Sequence, residues 1–125
     1  MSAEKPRTVL AASKSLGNLR QLQQLLSNEG YETTAVNSIP EFDTLQLEDG
    51  SIGVAIVDIG GFDRAIWECC ERLRTSGIPF IVISPREMRE VQQGSLAVGA
   101  SRAMTKPVAI RELIELVNRL MEPPK

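Results

Sequence analysis

Three polar residues stand directly after apolar runs, where side chains able to take part in group transfer would be expected. Asp58 follows residues 54–57, Ser84 follows 80–83, and Lys106 follows 103–105. A carboxylate is a nucleophile, and an ammonium and a hydroxyl can stabilise negative charge on the group that it attacks. Each residue also has an ordinary interpretation, because an Asp after a strand often caps a helix, a Ser forms a turn and a Lys is a solvated loop charge.

Five short apolar segments predict the strands that would carry these residues. They are Thr8–Ala12, Tyr31–Val36, Val54–Val57, Phe80–Ile83 and Ala103–Thr105. Four are nearly continuous, which is typical of strands covered on both faces in a parallel sheet. Residues 31–36 alternate more between apolar and polar types, so they predict an outer strand.

Helical spacing of apolar residues fills the gaps between these strands. The predicted helices cover residues 16–26, 66–73, 88–98 and 110–120, with a weaker helical segment over 39–47. Alternating strands and helices predict an α/β fold with a single doubly wound, five-stranded parallel sheet, flavodoxin-like, in strand order 2-1-3-4-5. Ligands of such sheets lie at the carboxyl ends of the strands, which directs attention to Ser13, Lys14, Asp58, Ser84 and Lys106.

Composition limits the classes of function. We expect one domain over residues 1–125, with flexible tails at 1–6 and 122–125. The net charge of −2, without blocks of like charge, gives no reason to expect nucleic acid or membrane as a partner. The polar N-terminus lacks the pattern of a signal peptide, so we expect the cytoplasm. With no His in the chain, neither zinc binding by Cys69-Cys70 nor a Ser-His-Asp triad is expected, and we predict that the protein is not an enzyme.

Taken in order, these features resemble the receiver domains of response regulators in two-component signalling, over essentially the whole chain. The matching residues are Asp58, Ser84 and Lys106-Pro107, with Gly30-Tyr31-Glu32, Ile78-Pro79 and Gly99-Ala100 around them. The resemblance implies that Asp58 accepts a phosphoryl group from a histidine kinase or phosphotransfer protein, in a phosphorelay. Lys106 and Ser84 would contact the phosphoryl oxygens, and the Lys106–Pro107 bond would be cis, a form that costs only about 0.5–1 kcal/mol before proline.

The resemblance also implies an output surface. Receivers use the face of the fourth helix, fifth strand and fifth helix to dock a downstream protein partner or to form a homodimer. In this chain that face corresponds to residues 88–98, 103–105 and 110–120. The family's aromatic switch position on the fifth strand is Ala103, which has no ring to rotate.

The acidic pair with which the family holds Mg²⁺ after the first strand is replaced here by Ser13 and Lys14. The remaining metal ligands would be Asp58 and Gly60, so we expect poor affinity for Mg²⁺, which prefers carboxylate and phosphate oxygens. We also expect the Lys14 ammonium near Asp58, since unit charges 4 Å apart attract by roughly 4 kcal/mol at an effective dielectric of 20. The competing interpretation is that Lys14 is a solvated loop residue that points away.

Three functional hypotheses follow. Asp58 is phosphorylated despite the altered metal site, or the chain is a phosphorylation-independent pseudo-receiver that acts as a protein-binding adaptor. The third hypothesis is an enzyme or nucleotide-binding protein on a flavodoxin-like sheet. It is disfavoured because residues 12–17, after the first strand, contain neither a GxGxxG motif nor a P-loop.

Overall fold

The computed structural model describes residues 8–85 and 99–121, and its five strands form one parallel sheet. The strands are β1 (Thr8–Ala12), β2 (Glu32–Val36), β3 (Ile52–Asp58), β4 (Phe80–Ser84) and β5 (Arg102–Thr105). Their order is β2-β1-β3-β4-β5, as predicted. In the register, Asp58 lies opposite Ile83 and Ser84 lies opposite Thr105, so β3, β4 and β5 end at the same edge of the sheet.

Helices connect the strands. They are α1 (Leu16–Asn28), α2 (Ile39–Asp43), α3 (Ala65–Thr75) and the C-terminal helix (Ile110–Met121), with a short 3-10 helix at Leu47–Asp49. The weak helical segment predicted at 39–47 is therefore helical only over its first half. The helix predicted at 88–98 and the tails predicted at 1–6 and 122–125 lie outside the described residues. None of the helices in 8–85 and 99–121 is long and apolar enough to cross a membrane.

The core has two halves because successive side chains of each strand point to opposite faces of the sheet. On one face, Val9 and Ala11 of β1 and Val54 and Ile56 of β3 belong to the cluster that contains three leucines of α1 and two buried residues of the C-terminal helix. On the other face, the intervening strand residues pack with α2 and α3. The strands are nearly continuously apolar because both of their faces are buried.

Arg72 of α3 contacts the C-terminal end of α2 and the residues just after it. Its guanidinium donates hydrogen bonds to the backbone carbonyls of Phe42 and Leu45, at 3.3 and 3.1 Å. It lies 5.7 Å from the centre of the Phe42 ring, and it forms an ion pair with Asp43 at 3.7 Å. The Phe42 carbonyl already accepts from the backbone N–H of Leu45, so Arg72 adds a second donor there and supplies a donor to the carbonyl of Leu45 just beyond the short helix.

Candidate functional site

Asp58 and Lys106 form an ion pair at the carboxyl edge of the sheet. Asp58 is the last residue of β3 and is 4% exposed. Lys106 follows β5, and its Nζ lies 2.8 Å from Asp58 Oδ2. The Lys106–Pro107 peptide bond is cis, as predicted. The structure thus brings together the two residues that the sequence proposed as nucleophile and cation.

Two further side chains donate to the same carboxylate oxygen. Ser13 Oγ lies 3.2 Å from Asp58 Oδ2, and Asn18 Nδ2 lies 3.3 Å from it. The Ser13 hydroxyl also accepts a hydrogen bond from the backbone N–H of Ser15 at 3.1 Å, which leaves its single proton for Asp58. Oδ2 is therefore surrounded by one ammonium, one hydroxyl and one amide.

Asn18 was not predicted as a site residue, although the sequence contains a signal for it. Asn18 precedes Leu22 and Leu26 at intervals of four, so it continues the buried stripe of α1 toward the N-terminal end of the helix. The Ser15 side chain caps α1 by accepting the backbone N–H of Asn18 at 3.1 Å. That cap fixes the first turn and so directs the Asn18 amide at Asp58.

The other oxygen of Asp58 is less occupied. Within the described residues, Oδ1 accepts one long hydrogen bond, from the backbone N–H of Gly60 at 3.4 Å. A Cβ added at residue 60 would lie 3.6 Å from Oδ1 and 3.7 Å from the ring of Pro85. Glycine at this position therefore keeps one approach to Oδ1 clear.

The expectation that Lys14 lies over Asp58 was wrong. The Lys14 side chain is exposed, and its Nζ lies 5.3 Å from the centre of the Phe62 ring. Ser13, the first residue after β1, contacts Asp58, whereas Lys14 lies one residue further into the loop, with its side chain beside Gly61 and Phe62. Lys106, which was predicted at the site independently of Lys14, forms the ion pair with Asp58.

Ser84 lies where the sequence predicted, at the end of β4 and buried. Its backbone carbonyl accepts a hydrogen bond from the N–H of Lys106 at 2.9 Å. This bond continues the β4–β5 pairing by one residue and brings the start of the Lys106 side chain to the sheet edge. Ser84 therefore helps to position the site through its backbone.

A cavity of about 520 Å³ lies beside the ion pair, between α1 and the C-terminal helix. Asp58 and Lys106 line it together with Asn18 and Gln21. The rest of its lining is mainly apolar: Leu22, Leu25, Ile83, Pro107, Val108, Ile110 and Leu113. The cavity provides a route by which a reactant could approach this edge of the sheet.

Known proteins resemble this chain in sequence and in fold. No family model matches it. The sensory transduction protein RegX3 of Mycobacterium tuberculosis is 29% identical over 102 residues, and the match covers 78% of this chain and 43% of RegX3. The chain thus spans less than half the length of that relative. RegX3 of Mycolicibacterium smegmatis is 28% identical over 98 residues, with 78% of this chain and 42% of that protein covered.

Solved structures give the same fold. A CheY-like response regulator receiver domain protein from Methanospirillum hungatei superimposes with a TM-score of 0.80 at 25% identity, covering 92% of this chain and 93% of that one. HP1043, an orphan response regulator of Helicobacter pylori, gives a TM-score of 0.78 at 17% identity, with coverage of 95% and 100%. The sheet order, the position of Asp58 at its carboxyl edge and these similarities define a receiver domain of the response-regulator type, the class used in two-component signal transduction.

Receiver domains imply a Mg²⁺ ion beside the acceptor Asp, and the side chains that the structure describes around Asp58 do not fit one. Asp58 Oδ2 already accepts from Lys106, Ser13 and Asn18, and these groups present hydrogens rather than lone pairs. Mg²⁺ needs hard oxygen ligands in a nearly octahedral arrangement. Lys14 points to Phe62, and a cation could not serve as a ligand in any case.

Proposed function

We propose that Asp58 is the phosphoacceptor of this receiver domain and takes its phosphoryl group from a histidine kinase or a phosphotransfer protein. The observation that carries the proposal is the 2.8 Å contact between the Lys106 ammonium and the buried Asp58 carboxylate. An ammonium held at that place can neutralise a phosphoryl oxygen as well as the carboxylate, because it has three hydrogens to donate.

The chemistry required of the protein is small. Phosphoryl transfer proceeds mainly through positioning and charge stabilisation, with little covalent assistance needed from other side chains. Asp58 supplies the nucleophile, Lys106 the fixed positive charge, and Ser84 lies at the same sheet edge, where its hydroxyl is proposed to contact a phosphoryl oxygen.

The cavity between α1 and the C-terminal helix supports a protein as the phosphodonor. Its apolar lining continues to Ile110, which is 45% exposed although it is a large hydrophobic residue. An apolar surface next to a reactive group is suited to a partner that must bring a phosphorylated side chain to Asp58.

The output surface is proposed to include β5 and the C-terminal helix, as receivers commonly use it. Exposed charges of both signs cover this part of the chain: Arg102, Glu112, Glu115 and Arg119. Mixed charges suit either a downstream protein or a second copy of the chain, because they can pair across an interface. The predicted fourth helix of this face lies outside the described residues.

Intact-mass measurement after exposure to acetyl phosphate and Mg²⁺ tests the proposal. We expect the protein to gain the mass of one phosphoryl group, and the variant Asp58→Asn to gain none. Asp63→Asn is the matched control, because Asp63 is an exposed aspartate five positions along the chain and should not affect the gain. An unmodified wild-type protein under these conditions would support the adaptor that works without phosphorylation.

A further inference from the structure

We infer that phosphorylation of Asp58 needs no divalent cation, because Ser13 and Asn18 hold Oδ2 and leave Oδ1 to attack the phosphorus. The inference rests on the proposed function and concerns how that same site works. Ser13 and Asn18 are positioning residues in this scheme, since they act through their hydrogen bonds to Asp58.

Oδ2 of Asp58 is already occupied by hydrogen-bond donors. Its three donors lie at 2.8 Å for Lys106, 3.2 Å for Ser13 and 3.3 Å for Asn18. A metal ion at this oxygen would have to displace them, and the buried Ser13 hydroxyl would then lose its acceptor away from water. Oδ2 is therefore already held in one orientation by the protein itself.

A second feature of the site is its balance of charge. The formal charges of Asp58 and Lys106 cancel, and Ser13 and Asn18 are neutral. A site with extra carboxylates would need a divalent cation before it could receive an anionic phosphodonor, because like charges at such distances repel strongly. Among residues 8–85 and 99–121, the side chains that contact Asp58 add no such excess of negative charge.

A third feature is the availability of Oδ1. It keeps lone pairs for attack, since its hydrogen bond from Gly60 is 3.4 Å long and residue 60 has no side chain to cover it. With acetyl phosphate, an Oδ1–phosphorus bond forms and the bond between phosphorus and the acetyl oxygen breaks. The electron pair of that bond leaves with acetate, so charge is conserved and no proton has to move.

The rate of mass gain with acetyl phosphate, measured in EDTA and in excess Mg²⁺, tests the inference. We expect the wild-type rates to differ by less than about threefold, well under the tenfold that a barrier change of 1.36 kcal/mol produces. A wild-type protein that is modified only in Mg²⁺ would overturn the inference and leave the proposed function standing. No modification in either solution would overturn both.

Introducing a carboxylate should create the dependence on metal that the parent lacks. In Ser13→Asp, we expect the rate in EDTA to fall by about tenfold or more and to recover in Mg²⁺, because two carboxylates would then face the phosphodonor. Ser15→Asp is the matched control, since Ser15 is exposed and Asp is an equally good helix cap. If Ser13→Asp does not fold, the isosteric Asn18→Asp makes the same test from α1.

Calorimetric titration with Mg²⁺ alone gives a second readout that does not depend on phosphorylation. We expect binding by Ser13→Asp or Asn18→Asp and none by the parent or Ser15→Asp in the same concentration range. Binding by the parent as tight as by the variants would contradict the inference.

Comparison of Ser13→Ala with the conservative variant Ser13→Thr distinguishes a positioning role of the Ser13 hydroxyl from a merely structural one. Ser13→Ala should slow modification by about tenfold in EDTA and in Mg²⁺ alike, which is the loss expected for one hydrogen bond to a charged group. Ser13→Thr keeps the hydroxyl and should recover most of that rate. Equal rates for Ser13→Ala and the parent would show that the hydroxyl does not position Asp58.

Discussion

Removal of the Lys106 charge should destabilise the protein more than removal of the Asp58 charge. The two partners of the ion pair differ in their exposure, because the Lys106 side chain is 35% exposed and that of Asp58 only 5%. In Asp58→Asn, the remaining ammonium can be hydrated where it stands. In Lys106→Met, the remaining carboxylate stays buried with only neutral donors around it.

The magnitudes follow from that difference. Removing one partner of a fully buried pair costs about 3–5 kcal/mol, chiefly through the charge that is left behind. Ser13, Asn18 and the Gly60 N–H still donate to Asp58, so we expect a loss of about 2–3 kcal/mol for Lys106→Met. For Asp58→Asn we expect about 1 kcal/mol, because water replaces the lost partner of an ammonium on a side chain that is about one-third exposed.

Urea unfolding of the single variants, the double variant and the parent measures these terms. The midpoint should move without a change in slope, and the double variant should lose less than the sum of the single losses by about 1–2 kcal/mol. Lys14→Met is the matched control, since Lys14 is exposed over Phe62 and should cost less than about 1 kcal/mol. A loss for Asp58→Asn equal to or greater than that for Lys106→Met would refute the reasoning.

Three further predictions concern the scaffold. Burial raises the pKa of the Cys70 thiol to about 12, above that of a thiol in the unfolded chain. The folded state therefore binds this proton more tightly, and the resulting stabilisation is complete below about pH 8.5 and is lost as pH rises toward 12. In unfolding experiments, Cys70→Ala should lose less stability than the parent across this pH range. Arg72→Met should cost about 1–2 kcal/mol in urea because it removes the hydrogen bonds to two backbone carbonyls, whereas Arg74→Met, which breaks an exposed ion pair, should leave the urea midpoint nearly unchanged. Gly61→Ala should cost about 1–2 kcal/mol, since residue 61 has a φ of +85° and a Cβ there would lie 3.3 Å from the Lys14 side chain, while Gly60→Ala should be tolerated.

The strands could be predicted because a doubly covered sheet imposes nearly continuous apolar runs on the chain. Thr8–Ala12 is a strand with the predicted bounds, and β4 extends the predicted run by one residue, to Ser84. The parallel topology alone predicted that Asp58 lies at the edge of the sheet where the carboxyl ends of the strands meet. Helical segments of few residues were harder to predict, because 39–47 contains too few apolar positions to separate a short helix from a turn.

The side chains around Asp58 were predicted less well, for two physical reasons. Whether Ser13 or Lys14 contacts Asp58 depends on the path of the chain just past the end of β1. Charge attraction alone favoured Lys14, but Ser13 makes the contact. Asn18 reaches Asp58 only because the cap at Ser15 fixes the first turn of α1 above the sheet edge. Contacts of this kind depend on how a helix is placed on the sheet, which residue spacing does not specify.

Borohydride trapping of the phosphorylated protein tests the central claim, the acceptor role of Asp58, most directly. Borohydride reduces an acyl phosphate to an alcohol, so a phosphorylated aspartate becomes homoserine and can be located by peptide mass spectrometry. After treatment with acetyl phosphate and reduction, we predict homoserine at position 58 and at no other aspartate. Homoserine at another position, or none in the peptide that contains residue 58, would contradict the account.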